Sequence, residues 1–172
     1  ALSSGLFLYG CSLLYGFSGS TNYYEISEAF KQDTSIPILF GIIFIIIGLA
    51  FKISAVPFHM WSPDVYQGSP TSVTSFFALA PKIAGLGAII RILYICFGEI
   101  YEEWKSIIIF ISVASMLLGA FAAIGQTNLK RLMAYSSISH IGYVLAALTV
   151  GNRDGVISAI SYLNIYIIMM IS

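Results

Sequence analysis

Residues 36–61 read IPILFGIIFIIIGLAFKISAVPFHMW, an apolar run whose one lysine, Lys52, stands five residues before Pro57. Roughly 20 apolar residues of helix cross the ~30 Å hydrocarbon layer of a bilayer. This stretch is therefore long enough to span, at about 39 Å if straight. A charged side chain near the bilayer centre costs roughly 2.5–3.5 kcal/mol on insertion scales, which makes an intramembrane lysine a candidate functional group. Proline removes a backbone donor and clashes with the preceding turn, so the spacing predicts a kink or break near residues 53–57. Broken helices at membrane depth are tolerated where they line a polar cavity. The plain alternative is a lysine that snorkels to the nearer interface, since Ser62 is only ten residues away.

Composition extends the same reading to the whole chain. Of 172 residues, 58% are hydrophobic and 9% charged, and the mean hydropathy is +0.89. Soluble domains carry about 25% charged residues, so soluble enzymes are excluded and an integral membrane protein is expected. The formal net charge is zero, and without a basic run nucleic-acid binding has no support. Cys11 and Cys96 lie in separate apolar stretches with no metal-type spacing, which suggests no disulfide, haem or iron–sulfur ligation. The opening at Ala1 has no charged leader, and Ser172 falls inside an apolar run, so a piece of a longer protein or a neighbouring chain is expected to complete it.

Six segments qualify as spans, fully or in part: about Leu2 to Phe17, Ile36 to Trp61, Thr71 to Phe97, Ser106 to Ile124, Leu129 to Val150, and Gly155 onward. They are too long for two-residue-period barrel strands. The fold class is all-α, a polytopic transmembrane bundle forming a single domain over residues 1–172. Asn22 to Asp33 reads as a short interfacial helix, and Ser62 to Pro70 as a loop that restarts a helix. Glu99 to Lys105 reads as an acidic connection and Gly151 to Asp154 as a tight turn. If the spans alternate, Lys31, Lys105 and Arg153 share one side, and Lys130, Arg131 and Asp64 share the other. Three cations against two leave the orientation undecided. The side richer in carboxylates, among them Asp33, is expected to be external.

Lys82 lies 11 residues after Thr71 and 15 before Phe97, directly after Pro81, which is expected to kink its helix. Its stem cannot easily reach headgroups. A buried lysine must be neutral, paired or hydrated, and can thus exchange a proton near neutral pH; a static ion pair is the alternative. All eight acids fall at or near connections, so an acidic partner would come from elsewhere. His140 stands about 15 Å beyond Lys130 along a helix, in the polar run Tyr135-Ser136-Ser137-Ile138-Ser139-His140. Ser136 shares its helix face. Histidine can pass protons through hydroxyls and water, or it can simply pack and hydrogen-bond between helices. His59, Ser136 and Tyr135 are possible accessories of a proton path; for His59 an interfacial structural role is equally open. Arg91 is expected to snorkel or to pair locally, and Lys130 and Arg131 to anchor the fifth span. The small residues at 84–88 and 119–123 allow close helix packing.

The stretches FKISAVPFHMWSPDVYQGSPTSVTSFFALAPKIA at 51–84 and GQTNLKRLMAYSSISHIGYVLAAL at 125–148 carry a resemblance to a known family, and the opening ALSSGLFLYGCSLLYGFSGST is also similar. The sequence resembles the antiporter-like, proton-conducting membrane subunits of respiratory NADH:ubiquinone oxidoreductase (complex I), the group of mitochondrial chain 2 and bacterial subunit N. That family has about fourteen helices in two inverted five-helix repeats, each with one broken helix, and this chain resembles helices six to eleven. The resemblance implies that Lys52 is the lysine of the first broken helix and Lys82 the central lysine. His140 would be the histidine of the polar axis leading to the second half. The family's glutamate would lie one helix before Ala1, where it would tune Lys52, and a second-repeat lysine or glutamate beyond Ser172. It also implies that Lys130 and Arg131 face the matrix or cytoplasm.

The function so implied is proton translocation through Lys52, Lys82 and His140, driven by electron transfer in other subunits. This chain would hold no cofactor, catalytic residue or metal; NADH, FMN, iron–sulfur clusters and ubiquinone would belong to other subunits. Its partners would be the other membrane-arm subunits, including antiporter-like neighbours, the flanking helices and the lipid bilayer. A secondary cation/proton antiporter of the same superfamily and a structural membrane spacer are the alternatives. Heavy use of Ile, Phe, Tyr and Ser suggests an AT-rich genome, hence a mitochondrial inner membrane, with a bacterial plasma membrane as the alternative.

Overall fold

A computed structural model describes residues 2–32 and 36–171, and those residues form helices joined by short connections, with no strand among them. The helices are α1 (Leu2–Ser18), α2 (Tyr23–Gln32), α3 (Ile36–Ile53), α4 (Trp61–Gly68), α5 (Thr71–Arg91), α6 (Tyr101–Ile124), α7 (Leu129–Leu148) and α8 (Arg153–Ile171). A π-helical turn, Ile92–Cys96, and a 3₁₀ turn, Gly98–Ile100, connect α5 to α6. Three helical stretches are long and apolar enough to cross a membrane by themselves: Ile36–Ile53, Thr71–Cys96 and Gly98–Ile124. Of the other expected spans, α1 has only 17 residues. Charged and polar residues interrupt the other two: Lys130, Arg131 and His140 in α7, and Arg153, Asp154 and Asn164 in α8.

The second expected span is corrected at its C-terminal end, because α3 stops at Ile53 rather than running to Trp61. The break lies where Pro57 predicts it. Ser54 takes a left-handed φ of +62°, a conformation unusual for a residue with a Cβ. The broken backbone is partly satisfied from outside: the Val56 N–H donates to Ser115 Oγ of α6 at 2.9 Å, and the Trp61 indole donates to the Phe51 carbonyl at 2.9 Å.

The expected loop over residues 62–70 is also corrected, since most of it forms α4. Pro63 and Asp64 read as turn residues, yet both suit a first helical turn. There the proline's missing N–H would be unpaired in any case, and a carboxylate meets the positive end of the helix dipole. The acidic connection at 99–105 is likewise taken up by the 3₁₀ turn and the start of α6. α5 runs through Pro81 without interruption. The short helix expected over residues 22–33 is α2; its expected end at Asp33 lies outside the described residues.

Glycines set the closest helix approaches. A Cβ on Gly119 of α6 would meet the Ser139 backbone nitrogen of α7 at 2.7 Å, and one on Gly142 would meet the Met116 nitrogen and Ser112 carbonyl at 2.9 Å. Ser112 Oγ completes this seam by donating to the Gly142 carbonyl at 2.8 Å. In the same way α1 closes on α3, where a Cβ on Gly10 would stand 2.7 Å from the Gly41 carbonyl oxygen. Gly151, at φ +74°, turns α7 into α8 beneath the ring of Tyr101. The interior is aliphatic and aromatic, with Ile53, Leu86, Leu93, Trp104, Ile141 and Leu145 essentially sealed.

The bundle's two ends are stitched by opposite charges as span alternation predicts. Lys31 pairs with Glu99 at 3.0 Å at one end, and Arg131 with Asp64 at 2.6 Å at the other. Lys130 Nζ donates to the Ser69 carbonyl at 2.6 Å, so both cations at the start of α7 grip the two ends of α4.

Because the Met116 nitrogen and the Ser112 carbonyl would stay within 2.9 Å of a Cβ on Gly142 even if the Met116 side chain, at 2.7 Å, moved aside, Gly142→Ala should lower the stability of the protein by about 1–3 kcal/mol, the ordinary cost of overpacking. Gly125→Ala, at an open position of negative φ, should stay within about 0.5 kcal/mol of the parent. Thermal denaturation of both purified variants in one detergent checks the contrast.

Candidate functional site

The interior holds one lysine. Lys82 projects from α5 and is only 1% exposed. Its amine donates to Ser137 Oγ of α7, and Ser137 in turn donates to the Ala134 carbonyl at 2.8 Å. The amine lies 5.3 Å from the ring centroid of Tyr66, which α4 brings in from the side. A cation over an aromatic face gains about 0.5–2 kcal/mol, most when desolvated. Among the described residues Lys82 has no carboxylate partner: the ion pairs are Lys31–Glu99, Lys105–Glu102 and Arg131–Asp64, all near helix ends.

Three aromatic hydroxyls extend the polar surroundings. Tyr66 is fully buried; its hydroxyl faces the hydroxyls of Ser62 and Ser137 but closes a hydrogen bond to neither. Tyr166 of α8 approaches Ser137 as well and donates to the Ala78 carbonyl at 3.4 Å. His140 stands half-buried on α7, with Nδ1 2.6 Å from the Tyr162 hydroxyl and its ring centroid 5.4 Å from that of Tyr166. Lys82 and His140 lie within electrostatic reach of each other. The geometry thus gathers Lys82, Ser137, Tyr166, His140 and Tyr162 across α5, α7 and α8.

Lys52 is not part of that cluster. It occupies the last turn of α3, exposed on the flank of the bundle, with its amine 5.7 Å from the Phe7 ring centroid. The groove beside it, about 500 Å³, is walled by Trp61, Phe77, Pro81, Ala84 and Ala88. The α5 stripe through Pro81 and Ala84 therefore faces Lys52, while Lys82 turns inward to α7. No hydrogen bond joins the two lysines among the described residues. His59 sits in the helix break with Nδ1 buried and unpaired. Tyr135 lies beside Arg131, at the end where Asp64 pairs.

Ser136, selected by its spacing from His140, makes no hydrogen bond to it; Ser137, one residue on, reaches Lys82. Sequence reading also left out Tyr66, Tyr162 and Tyr166. A usable signal exists for two of these: Tyr162 and Tyr166 are four residues apart, so one face of α8 carries both toward His140.

A broken helix, a carboxylate-free buried lysine and a histidine–tyrosine cluster in an all-helical bundle define an antiporter-like membrane subunit. The family model described as NADH:quinone oxidoreductase/Mrp antiporter, TM, matches residues 1–172, and the chain belongs to that family and is membrane-embedded. It is 60% identical over 169 residues to NADH-quinone oxidoreductase subunit N of Pelagibacter ubique, covering 98% of this chain and 36% of that relative. Among solved structures, a chain of the Mrp complex from Dietzia sp. superposes with a TM-score of 0.88 at 26% identity, covering 98% of this chain and 31% of that one. A chain of respiratory complex I from Thermus thermophilus, solved with bound aureothin, superposes with a TM-score of 0.74 at 33% identity, covering 94% and 35%. The chain thus spans about a third of the length of the curated relatives it matches.

Since Ser137 is the hydroxyl that receives the Lys82 amine, Ser137→Ala should destabilise the protein by about 1–3 kcal/mol, the cost of a buried donor left unpaired. Ser136→Ala should cost less than about 0.5 kcal/mol. Comparing melting midpoints of the two variants distinguishes them.

Proposed function

We propose that the chain is the central portion of a proton-translocating membrane-arm subunit of respiratory NADH:quinone oxidoreductase, in which Lys82 holds and releases the translocated proton. The observation that carries this reading is the Lys82 amine, sealed in the bundle against one serine and one tyrosine ring with no carboxylate to fix its charge. Burial without a counter-ion brings the charged and neutral forms of an amine close in free energy. A modest change in nearby charge can then load or unload it. His140, with Tyr162 and Tyr166, would carry the proton onward.

Lys52 would act at the helix break, tuned by an acid from outside this chain. A carboxylate beside it would favour the charged amine, and its withdrawal would favour release. His59 and Tyr135 would be accessories. NADH, FMN, iron–sulfur clusters and ubiquinone would be bound by other subunits, and electron transfer there would supply the driving force. The bacterial origin of the subunit N relatives favours the plasma membrane over the mitochondrial inner membrane as its location.

The likeness to a chain of the Mrp complex favours a second reading, secondary cation/proton exchange without a redox partner. Sodium-dependent proton movement in vesicles that hold the intact complex but receive no NADH would support it. Strict dependence on NADH oxidation supports the first reading.

Lys82→Met keeps the stem and removes the titrating group. In the intact complex it should depress proton pumping by about tenfold or more, as loss of a positioned proton-transfer group does. Pumping stoichiometry equal to the parent, measured with a pH-sensitive dye in inverted vesicles, would remove Lys82 from the path.

A further inference from the structure

Four side-chain atoms are buried and unpaired among the described residues: Ser54 Oγ, His59 Nδ1, Ser62 Oγ and Tyr66 Oη. All four belong to the 13 residues from the end of α3 to the middle of α4. Buried polar groups in folded proteins are almost always satisfied by protein or by ordered water, so four unpaired ones together call for an explanation. Two of them point to one. Ser62 and Tyr66 are four residues apart on α4 and share a face. Both are fully buried, and the Tyr66 hydroxyl lies within interaction reach of the Ser62 and Ser137 hydroxyls. Ser137 is the residue that receives the Lys82 amine.

We propose that Ser62 and Tyr66 form a hydroxyl relay that exchanges protons with Lys82 by way of Ser137. The inference rests on Lys82 being a proton carrier. Starting from the neutral amine, the Ser137 hydroxyl turns from the Ala134 carbonyl and gives its proton to Lys82 Nζ. In the same concerted movement Ser137 Oγ takes the Tyr66 proton, Tyr66 takes one from Ser62, and Ser62 is refilled by an excess proton that arrives from the aqueous phase as hydronium and leaves neutral water behind. Each relay hydroxyl loses one O–H and regains one, the excess proton ends as one new N–H at Nζ, and no hydroxyl is left charged. Reversal unloads the amine.

Helix α4 is suited to hold such a relay in register. Its two ends are tied to the start of α7 by Asp64–Arg131 and by the Lys130 bond to the Ser69 carbonyl. Thr74 Oγ1 donates to the Tyr66 carbonyl at 3.2 Å, fixing that residue from α5. The ring of Tyr66 also lies over the amine it would serve, so its hydroxyl and Lys82 are positioned by one side chain.

Tyr66→Phe, Ser62→Ala and Lys82→Met are compared in the intact complex reconstituted into vesicles, following proton translocation and NADH oxidation in H₂O and D₂O. Tyr66→Phe deletes only the unpaired oxygen and keeps the ring over Lys82. It should slow proton translocation by about tenfold, within the contribution of a positioned proton donor, and enlarge the solvent isotope effect, which a packing defect would leave alone. Ser62→Ala should act in the same direction, and it carries the test should the tyrosine variant fail to assemble. Parental rates and isotope effects in either variant, beside a defective Lys82→Met, overturn the relay while leaving Lys82 in the path. Parental pumping in Lys82→Met overturns the functional reading, and the relay with it.

Discussion

The arrangement of this bundle turns on keeping one amine out of water. Lys82 is sealed inside the bundle, with Ser137 and the ring of Tyr66 as its near polar neighbours. Isolated full charges in such surroundings cost several kcal/mol, and a structure that wanted only stability would place a leucine there. The bundle instead brings α4 across the mouth between α5 and α7, and holds that short helix by two contacts from Lys130 and Arg131. The surface pair Arg131–Asp64 contributes little energy on its own, since exposed pairs are worth about 0–1 kcal/mol. Its value is geometric: it fixes the helix that carries Tyr66.

The helix break follows from the same need. A continuous helix from residue 36 to 61 would keep its backbone donors and acceptors paired within itself. Ending α3 at Ile53 and restarting at Trp61 frees Ser54, His59 and Ser62 to present buried polar atoms. Ser115 of α6 then takes up the loose Val56 N–H. The left-handed Ser54 is a local strain of about 1–3 kcal/mol, retained because neighbouring helices fix both sides of the break.

Helical content, the break near Pro57, the pairing of bundle ends and the burial of Lys82 were all legible from one sequence, because each rests on a local rule. Chain hydropathy demands helices, proline cannot donate, and span alternation sorts Lys31 from Arg131. What was not legible depends on which faces meet. Pro63 and Asp64 suit a turn and a first helical turn equally, so α4 was hidden until its packing against α7 was known. Spacing from His140 favoured Ser136, whereas the rotation of α7 against α5 aims Ser137 at Lys82. Among 11 tyrosines, Tyr162 and Tyr166 carry only their four-residue spacing as a signal, and nothing local marks Tyr66; tertiary proximity singles it out.

Lys52 and Lys82 differ in a way that a hydropathy reading cannot anticipate. Both lie within apolar sequence, but α5 interposes its Pro81–Ala84 stripe between them, leaving Lys52 on an open flank and Lys82 inside. A proton carrier needs its charge to be adjustable. Under the proposed function, the adjustment for Lys82 would be built from this chain's own hydroxyls and aromatic rings. For Lys52, whose amine stands 5.7 Å from the Phe7 ring centroid, it would be supplied across the groove. The two amines would then answer to different controllers: one to hydroxyl orientation within the bundle, the other to what docks beside it. Two sites with separate controls can be loaded and emptied in sequence, which a single shared cavity would not permit.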